Sequence, residues 1–327
     1  MKKNSNFKIR ISNLIFVRND GIALIMVLWI TVMLSIIAVN FLISTRWNSA
    51  STHNLKEETL SYYLAMSGYH KVLNYLMSDK DPSFDFIDND GNFRTDSDAT
   101  PLTGRMSTDE GEIEIRITDE NSRININFSN QERLRKLFEY AGIPQDSITE
   151  IIDSILDWKD PDNEHHLSGA EDDYYENIPE PYKAKNALFD VPEELGLVKG
   201  IKTDFMRGSE EIRSLLPLIT TFGRGQININ TVSKDTMQLL GLNEIEIEAV
   251  LKQRNSDAGG FRFIPQQFIP YGLNMISSNT LRVEVTGTAK NSKLSAKITA
   301  VLDRRMSPKG YKIKTVYWRE SAENTGG

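Results

Sequence analysis

The chain has 327 residues, 39% hydrophobic and 25% charged, with a formal net charge of −7 and no cysteine. Its length predicts more than one compact unit, and its balance of apolar and charged residues excludes wholesale disorder. The lack of cysteine excludes disulfides, thiolate nucleophiles and Cys-ligated zinc, and the acidic excess weighs against a nucleic-acid partner.

The first twenty residues hold Lys2, Lys3, Lys8, Arg10 and Arg18 against the single acid Asp20. No charge follows from Gly21 to Thr45, and residues 22–43 (IALIMVLWITVMLSIIAVNFLI) are almost wholly apolar. As a helix this run is about 33 Å long, enough to cross a hydrocarbon core of about 30 Å. A signal peptide has a shorter apolar region and a small-residue cleavage site, and a core helix rarely stays uncharged for so long, so the run reads as a membrane anchor. The basic flank keeps the N-terminus cytoplasmic and sends the bulk of the chain across the membrane. Residues 46–77 lack proline and place Leu55, Leu60, Leu64, Val72, Leu73 and Leu76 at near-helical spacing. The helix is therefore expected to continue as an amphipathic half that packs on the following fold, and to end at the polar stretch after Ser78, with Pro82.

Residues 79–111 are rich in Asp, Asn, Gly, Ser and Thr and read as loop. Asp88, Asp90 and Gly91 echo a calcium loop, but Ala99 stands where a twelfth-position glutamate belongs, which favours an acidic turn. Strict alternation over 112–118 (EIEIRIT) predicts a half-buried strand, with a second over 122–128 (SRININF). Further strands are expected over 282–289, 294–303 and 311–318, the first two joined by a hairpin-sized connection at 290–293. Strands at both ends with helices between predict an α+β fold built on an antiparallel sheet.

An internal repeat occupies the middle. ININFSNQERLRKLFEYAGIPQDSITEIIDSILD starts at Ile124 and ININTVSKDTMQLLGLNEIEIEAVLKQR at Ile227, each reading as a helical hairpin. Ser129 with Glu132 fits a capping box, and Ser233 is placed to cap the corresponding helix. The second copy also resembles a helix-hairpin-helix DNA-binding module. Its turn, Gly241–Leu242–Asn243, lacks the usual second glycine and is followed by Glu244, Glu246 and Glu248, which repel phosphate.

Residues 157–175 (DWKDPDNEHHLSGAEDDYY) hold Asp157, Asp160, Asp162, Glu164, Glu171, Asp172 and Asp173. The segment has the oxygen ligands that a hard divalent cation requires, and on composition alone an acidic solvated loop is an equal alternative. Adjacent His165 and His166 do not have zinc-site spacing, and no nucleophile motif or phosphate-binding glycine loop accompanies the acids.

The leader, the glycine and the apolar opening of a long helix resemble the type III signal of type IV pilins and type II secretion pseudopilins. The run DWKDPD, then GAEDDYY, then PYKAKNALFDVPEELGLVKGI (residues 181–201), together with the two ININ hairpins, resembles the K class of minor pseudopilins over nearly the whole chain. The resemblance implies cleavage between Gly21 and Ile22, with methylation of the new N-terminus. Most pilin-like chains carry glutamate at the fifth mature position. Met26 stands there, and the K class typically lacks that glutamate. The resemblance also implies calcium on Asp160, Asp162, Glu171 and Asp173, with backbone help near Leu167 and Gly169. It implies a non-enzymatic role at the tip of a secretion pseudopilus, with I and J minor pseudopilins and the secretion machinery as partners. The chain would sit in the inner membrane with its globular part periplasmic, and no nucleic acid is expected.

The expected organisation is a leader over 1–21, a helix over 22–78, and a pseudopilin domain from 79–127 and 225–320 that includes the hairpin module 227–268. An inserted helical domain takes 128–224 and a flexible tail 321–327. The rival readings are a membrane-anchored helix-hairpin-helix protein for DNA uptake and a tethered hydrolase with an acidic site.

Overall fold

The structure, a computed structural model, describes residues 20–324 apart from 80, 82, 89, 96–100, 257–258, 291 and 308–309. Most of the expected leader, Pro82, Ala99 and Asn291 lie outside the described residues. The chain divides into two compact units, 1–56 and 57–327, and each is described by itself.

In the first unit, α1 (Asp20–Met77) begins, and its apolar run is fully exposed along residues 22–43. This helix is long and apolar enough to cross a membrane. Its hydroxyls are satisfied within the helix: Thr31 donates to Leu28 O, Ser35 to Thr31 O and Thr45 to Phe41 O, at 2.8–2.9 Å. Leu55, expected on the packing face, is 63% exposed, because the buried stripe begins only at Ser61.

In the second unit that stripe runs through Ser61, Leu64, Ala65, Gly68, Tyr69, Val72 and Leu76, three and four residues apart, and forms one core with the sheet. The segment 79–111, expected to be loop, instead carries β1 (Phe86–Ile87), β2 (Phe93–Arg94) and β3 (Gly104–Ser107). Pairing partners rather than composition dictate these strands: β1 bonds β2, and β3 bonds β4 (Gly111–Asp119). The acidic turn is as expected, with Asp88 Oδ1 accepting from the amides of Asp90 (3.0 Å) and Asn92 (2.8 Å).

The second expected strand, 122–128, shrinks to β5 (Ile124–Asn125) behind a single 3-10 turn that Asp119 caps. Then follow α2 (Gln131–Ala141), α3 (Gln145–Lys159), α4 (Asp172–Tyr175), α5 (Thr203–Arg207), β6 (Ile219–Thr220), β7 (Ile227–Asn228), α6 (Lys234–Leu240), α7 (Glu244–Arg254) and β8 (Leu273–Met275). The long strands β9 (Thr280–Ala289), β10 (Leu294–Ser307) and β11 (Gly310–Asn324) complete the chain. The main sheet has the order β11-β10-β9-β4-β3 and is antiparallel throughout. β11 runs through 321–324, which corrects the expected flexible tail: Ala322 and Glu323 pair with Ala296 and Ser295.

Asp119 of β4 faces Leu281 of β9 in register, so everything from 120 to 279 is an excursion between two neighbouring strands. The two hairpins share one core, which joins Leu134, Phe138 and Ile155 to Met237, Leu240 and Val250, while the helix-sheet core is separate. The hairpin at 227–268 therefore belongs with the helical lobe, not with the strands, and the insertion is wider than 128–224.

The repeat is structural. In each copy the first Asn of ININ accepts from the amide two residues on, and the second Asn clamps a distant phenylalanine backbone at both ends. Asn127 accepts from Phe189 N (2.8 Å) and donates to Phe189 O (3.0 Å), and Asn230 does the same to Phe261 (2.8 and 2.9 Å). Lys159, ending α3, donates to Ile126 O, as Arg254, ending α7, donates to Ile229 O. Each ININ strand then pairs in parallel, β5 with β6 and β7 with β8. Ser233 caps α6 as expected, but Asn130 caps α2 in place of Ser129, whose hydroxyl is turned to Asn125 O (2.7 Å).

The lobe joins the sheet through buried polar groups. Ser278 donates its amide to Asp85 Oδ2 and its hydroxyl to Asp119 Oδ2, both at 2.6 Å, and its carbonyl accepts from Arg304. Arg304 in turn holds Asp79 (2.7 Å) and Asp85. Where the helix arrives, Ser61 Oγ donates to Leu294 O and accepts from Ala289 N, both at 3.0 Å. Helix entry and lobe thus lie at opposite ends of the sheet.

The helix can approach so closely because β9 carries a glycine there. A Cβ on Gly287 would lie 2.3 Å from Ser61 O and 2.4 Å from Ala65 N, both backbone atoms that cannot swing aside. Gly287→Ala is expected to cost about 3 kcal/mol through overpacking, read as a melting temperature several degrees lower. Thr286→Ala, on the opposite face, should change it little. Equal melting temperatures for the two variants would contradict this account of the packing.

Candidate metal centre

α3 ends at Lys159 because its acids turn outward into a loop, and Asp160 already has extended backbone (φ −79°, ψ 161°). The last turn nonetheless keeps Asp157 inside, fully buried, with its carboxylate against Gly169. A Cβ on Gly169 would lie 1.8 Å from Asp157 Oδ2, so only glycine leaves room for that acid. Asp157 Oδ1 accepts from His166 N (3.1 Å) and meets His166 Nδ1. Beneath, Trp158 packs edge-on to Tyr175 (5.2 Å between ring centroids) and stacks on Phe189, the residue that Asn127 clamps. The chain thus returns at Glu171, 1% exposed, directly opposite the helix end.

Asp160, Asp162 and Glu171 each bring a carboxylate oxygen within 4.8 Å of the others, and Asp157, Asp160 and His166 form an overlapping group at the same spacing. Four buried oxygens here have no hydrogen-bond partner: Asp157 Oδ2, Asp160 Oδ1 and both oxygens of Glu171. An orphaned buried polar group costs about 1–3 kcal/mol, and more when charged. Burial, with Asp157 and Asp160 next, pushes Glu171 up to about 7, and burial, with Asp162 and Asp157, raises Asp160. The hydrogen bond to Asp157 raises His166. Unpaired, converging carboxylates that resist ionisation fit a hard divalent cation such as calcium, which would supply charge compensation and draw loop 160–171 onto the end of α3.

Three of the four expected ligands therefore converge. Asp173 does not: its side chain is 73% exposed and bonds His165 Nε2 at 2.9 Å. Leu167 is fully exposed, and Gly169 O accepts from Lys199 Nζ (3.2 Å). Asp157, present in the acidic run but not singled out, takes its place in the cluster. Its place three residues before Asp160, at the end of the helical pattern, was the available signal. The two histidines point to different acids, His165 to Asp173 and His166 to Asp157.

The other site suggested by sequence is occupied by the protein itself. At the second hairpin, Asn243 Oδ1 accepts from Glu246 N while Glu246 accepts from Asn243 N, so the amides that would meet a phosphate cap α7 instead.

On metal-free protein, Glu171 holds its proton in the folded state where the unfolded chain has already lost it. Between about pH 4.5 and 7 the folded state therefore binds more protons, and stability falls as pH rises. Melting of the full chain in detergent with chelator should drop across this window. Saturating calcium should raise the melting temperature and flatten the trend, since bound carboxylates are held ionised. Asp160→Asn with Glu171→Gln should remove the calcium effect. A melting temperature indifferent to calcium in the unaltered chain would return the loop to a plain acidic surface.

Comparison with known proteins bears on the same region. Residues 116–221 match the family model of type II secretion system protein K. The protein of that name from Pectobacterium carotovorum is 31% identical over 173 residues, which cover 46% of this chain and 51% of the relative. The Pseudomonas aeruginosa protein is 26% identical over 225 residues, covering 65% and 66%, and the Aeromonas hydrophila protein 25% identical over 242, covering 68% and 70%. The chain thus spans about half the length of the first of these relatives and about two thirds of the second. In fold, it is similar to a chain of the GspK-GspI-GspJ complex from the enterotoxigenic Escherichia coli type 2 secretion system. The TM-score is 0.63 at 16% identity, covering 83% of this chain and 99% of that one. The segment similar to the type II secretion system protein K model thus takes in the end of β4, the first ININ copy and the acidic loop.

Proposed function

We propose that this chain is a minor pseudopilin of the K class, a structural, non-enzymatic component at the tip of a type II secretion pseudopilus. Residues 22–43 anchor it in the inner membrane with the globular part periplasmic, and it assembles with I and J minor pseudopilins. One observation carries the reading. The helical lobe leaves the sheet between β4 and β9, at the end opposite the entry of the helix through Ser61. The lobe obstructs stacking on its own end of the sheet and leaves neighbours to pack beside the sheet and at its other end. Met26 supports the same position, because a subunit with nothing above it needs no carboxylate in the apolar run, where an unpaired charge is costly. The acidic loop serves as a calcium site that fixes the lobe. The relatives named above and the complex that contains the similar fold support the family of partners.

Maturation follows from the leader. Prepilin peptidase cleaves between Gly21 and Ile22, and Ile22 becomes an N-methylated terminus. Intact mass and N-terminal sequencing of protein from a membrane with active peptidase should give Ile22, and a retained Met1 would refute the leader. The mature chain should co-purify with I- and J-type subunits as a defined complex and bind duplex DNA no better than an acidic control protein. Salt-sensitive DNA binding without a pseudopilin complex would favour the uptake reading.

A further inference from the structure

The loop that brings the chain out of the first repeat, 221–226, lies over the sheet face opposite α1. Together with the last strands it forms a crevice lined by Phe222, Arg224, Asn279, Asp303, Arg305 and Val316. Arg224 stands exposed between Gly223 and Gly225, whose φ angles of 81° and 75° suit only glycine. The turn is fixed in place: the ring of Phe222 lies 5.8 Å from that of Tyr317 on β11, and the Arg282 guanidinium lies over the Phe222 ring at 5.8 Å. Lys312 and Lys314 are the cross-strand partners of Arg305 and Asp303, and directly paired residues share a sheet face, so both lysines flank the same crevice. Arg305 is held by Asp303 at 2.7 Å. Among the described residues no ion pair engages Arg224, Lys312 or Lys314. Three cations, two on β11 and one on the 221–226 turn, thus stand on one side of the sheet edge.

That strand is also the open edge of the sheet. β11 bonds β10 along fourteen register pairs and has no strand on its other side among the described residues. Lysines on an edge commonly repel stray strands. Two features here point to recognition instead. Val316, at the register shift in β11, is 43% exposed and gives the crevice an apolar lining beside Arg224. Arg224 comes from a different part of the chain and is held beside that lining by two glycines. An edge of this length with an apolar lining suits a polypeptide rather than a small anion, and the cations require that polypeptide to be acidic.

We propose that β11 is a docking edge for an extended acidic segment of a partner subunit. That segment adds as a further strand and places its carboxylates on Arg224, Lys312 and Lys314. The proposal rests on the assembly put forward above. The experiment uses the full chain, co-purified in detergent with I- and J-type subunits. A photoreactive benzophenone amino acid replacing Val316 is expected to give an adduct with an acidic segment of one partner, mapped by mass spectrometry. Arg224→Glu combined with Lys314→Glu should weaken the complex about tenfold or more and abolish the adduct, with an unchanged melting temperature because both positions are exposed. Lys136→Glu, on α2 of the lobe, should leave both readouts as they were. A complex of undiminished affinity in the charge-reversed chain, or an adduct to a basic segment, overturns the docking edge and leaves the assembly standing. If the unaltered chain forms no complex, the assembly and the docking edge fall together.

Discussion

Ser278 has no exposed surface and uses every polar atom it has: its amide on Asp85, its hydroxyl on Asp119, its carbonyl under Arg304. Those three partners come from the segment after α1, the end of β4 and the middle of β10. A lobe of this size tethered by two strand ends would otherwise be free to rock about them. Asp119 accepts from Ser278, Thr231 and Asn228 side chains and from Asn121 N, so one carboxylate joins the sheet to the second repeat. Burial still pushes Asp119 up to about 6 and Asp85 up to about 7, which shows how dry the junction is. The network favours one arrangement although Asp85 Oδ1 lacks a hydrogen-bond partner, and everything proposed for the lobe depends on its standing at one end of the sheet.

The duplicated hairpins explain where the acidic site came to lie. In the second copy a short connection leads from α7 to the clamped Phe261. In the first copy the corresponding path from α3 to the clamped Phe189 holds the whole acidic loop. The carboxylate cluster thus lies in the longer connection of one repeat, next to Trp158, Phe189 and the Asn127 clamp. A metal there would tie the longer loop to the same frame that the second copy reaches through a connection with one acid, Asp257.

The elements with their own periodicity were legible in sequence. The apolar run, the alternation of β4, β9 and β10, and both helical hairpins appear where expected, and Ser233 caps α6. What sequence missed depends on partners far along the chain. β3 is a strand because β4 offers it an edge, and residues 122–128 fail to be one because ININ closes a turn on itself through Asn125 and Ser129. The lobe boundary was misplaced because only the register of Asp119 with Leu281 reveals that β4 and β9 are adjacent. At the site, the K-class resemblance implied Asp160, Asp162 and Glu171, and these three converge. Asp157 joins them from the buried last turn of α3, while Asp173, implied by the same resemblance, faces solvent beside His165.

The central claim is that this subunit occupies a unique position, with the lobe ending the assembly. The chain has no cysteine, so Leu167→Cys, at a fully exposed position on the acidic loop, gives a single site for a gold label. Electron microscopy of pseudopili assembled with labelled chain is expected to show one particle per filament, always at the same end. Particles repeating along the filament would contradict a tip position for the lobe.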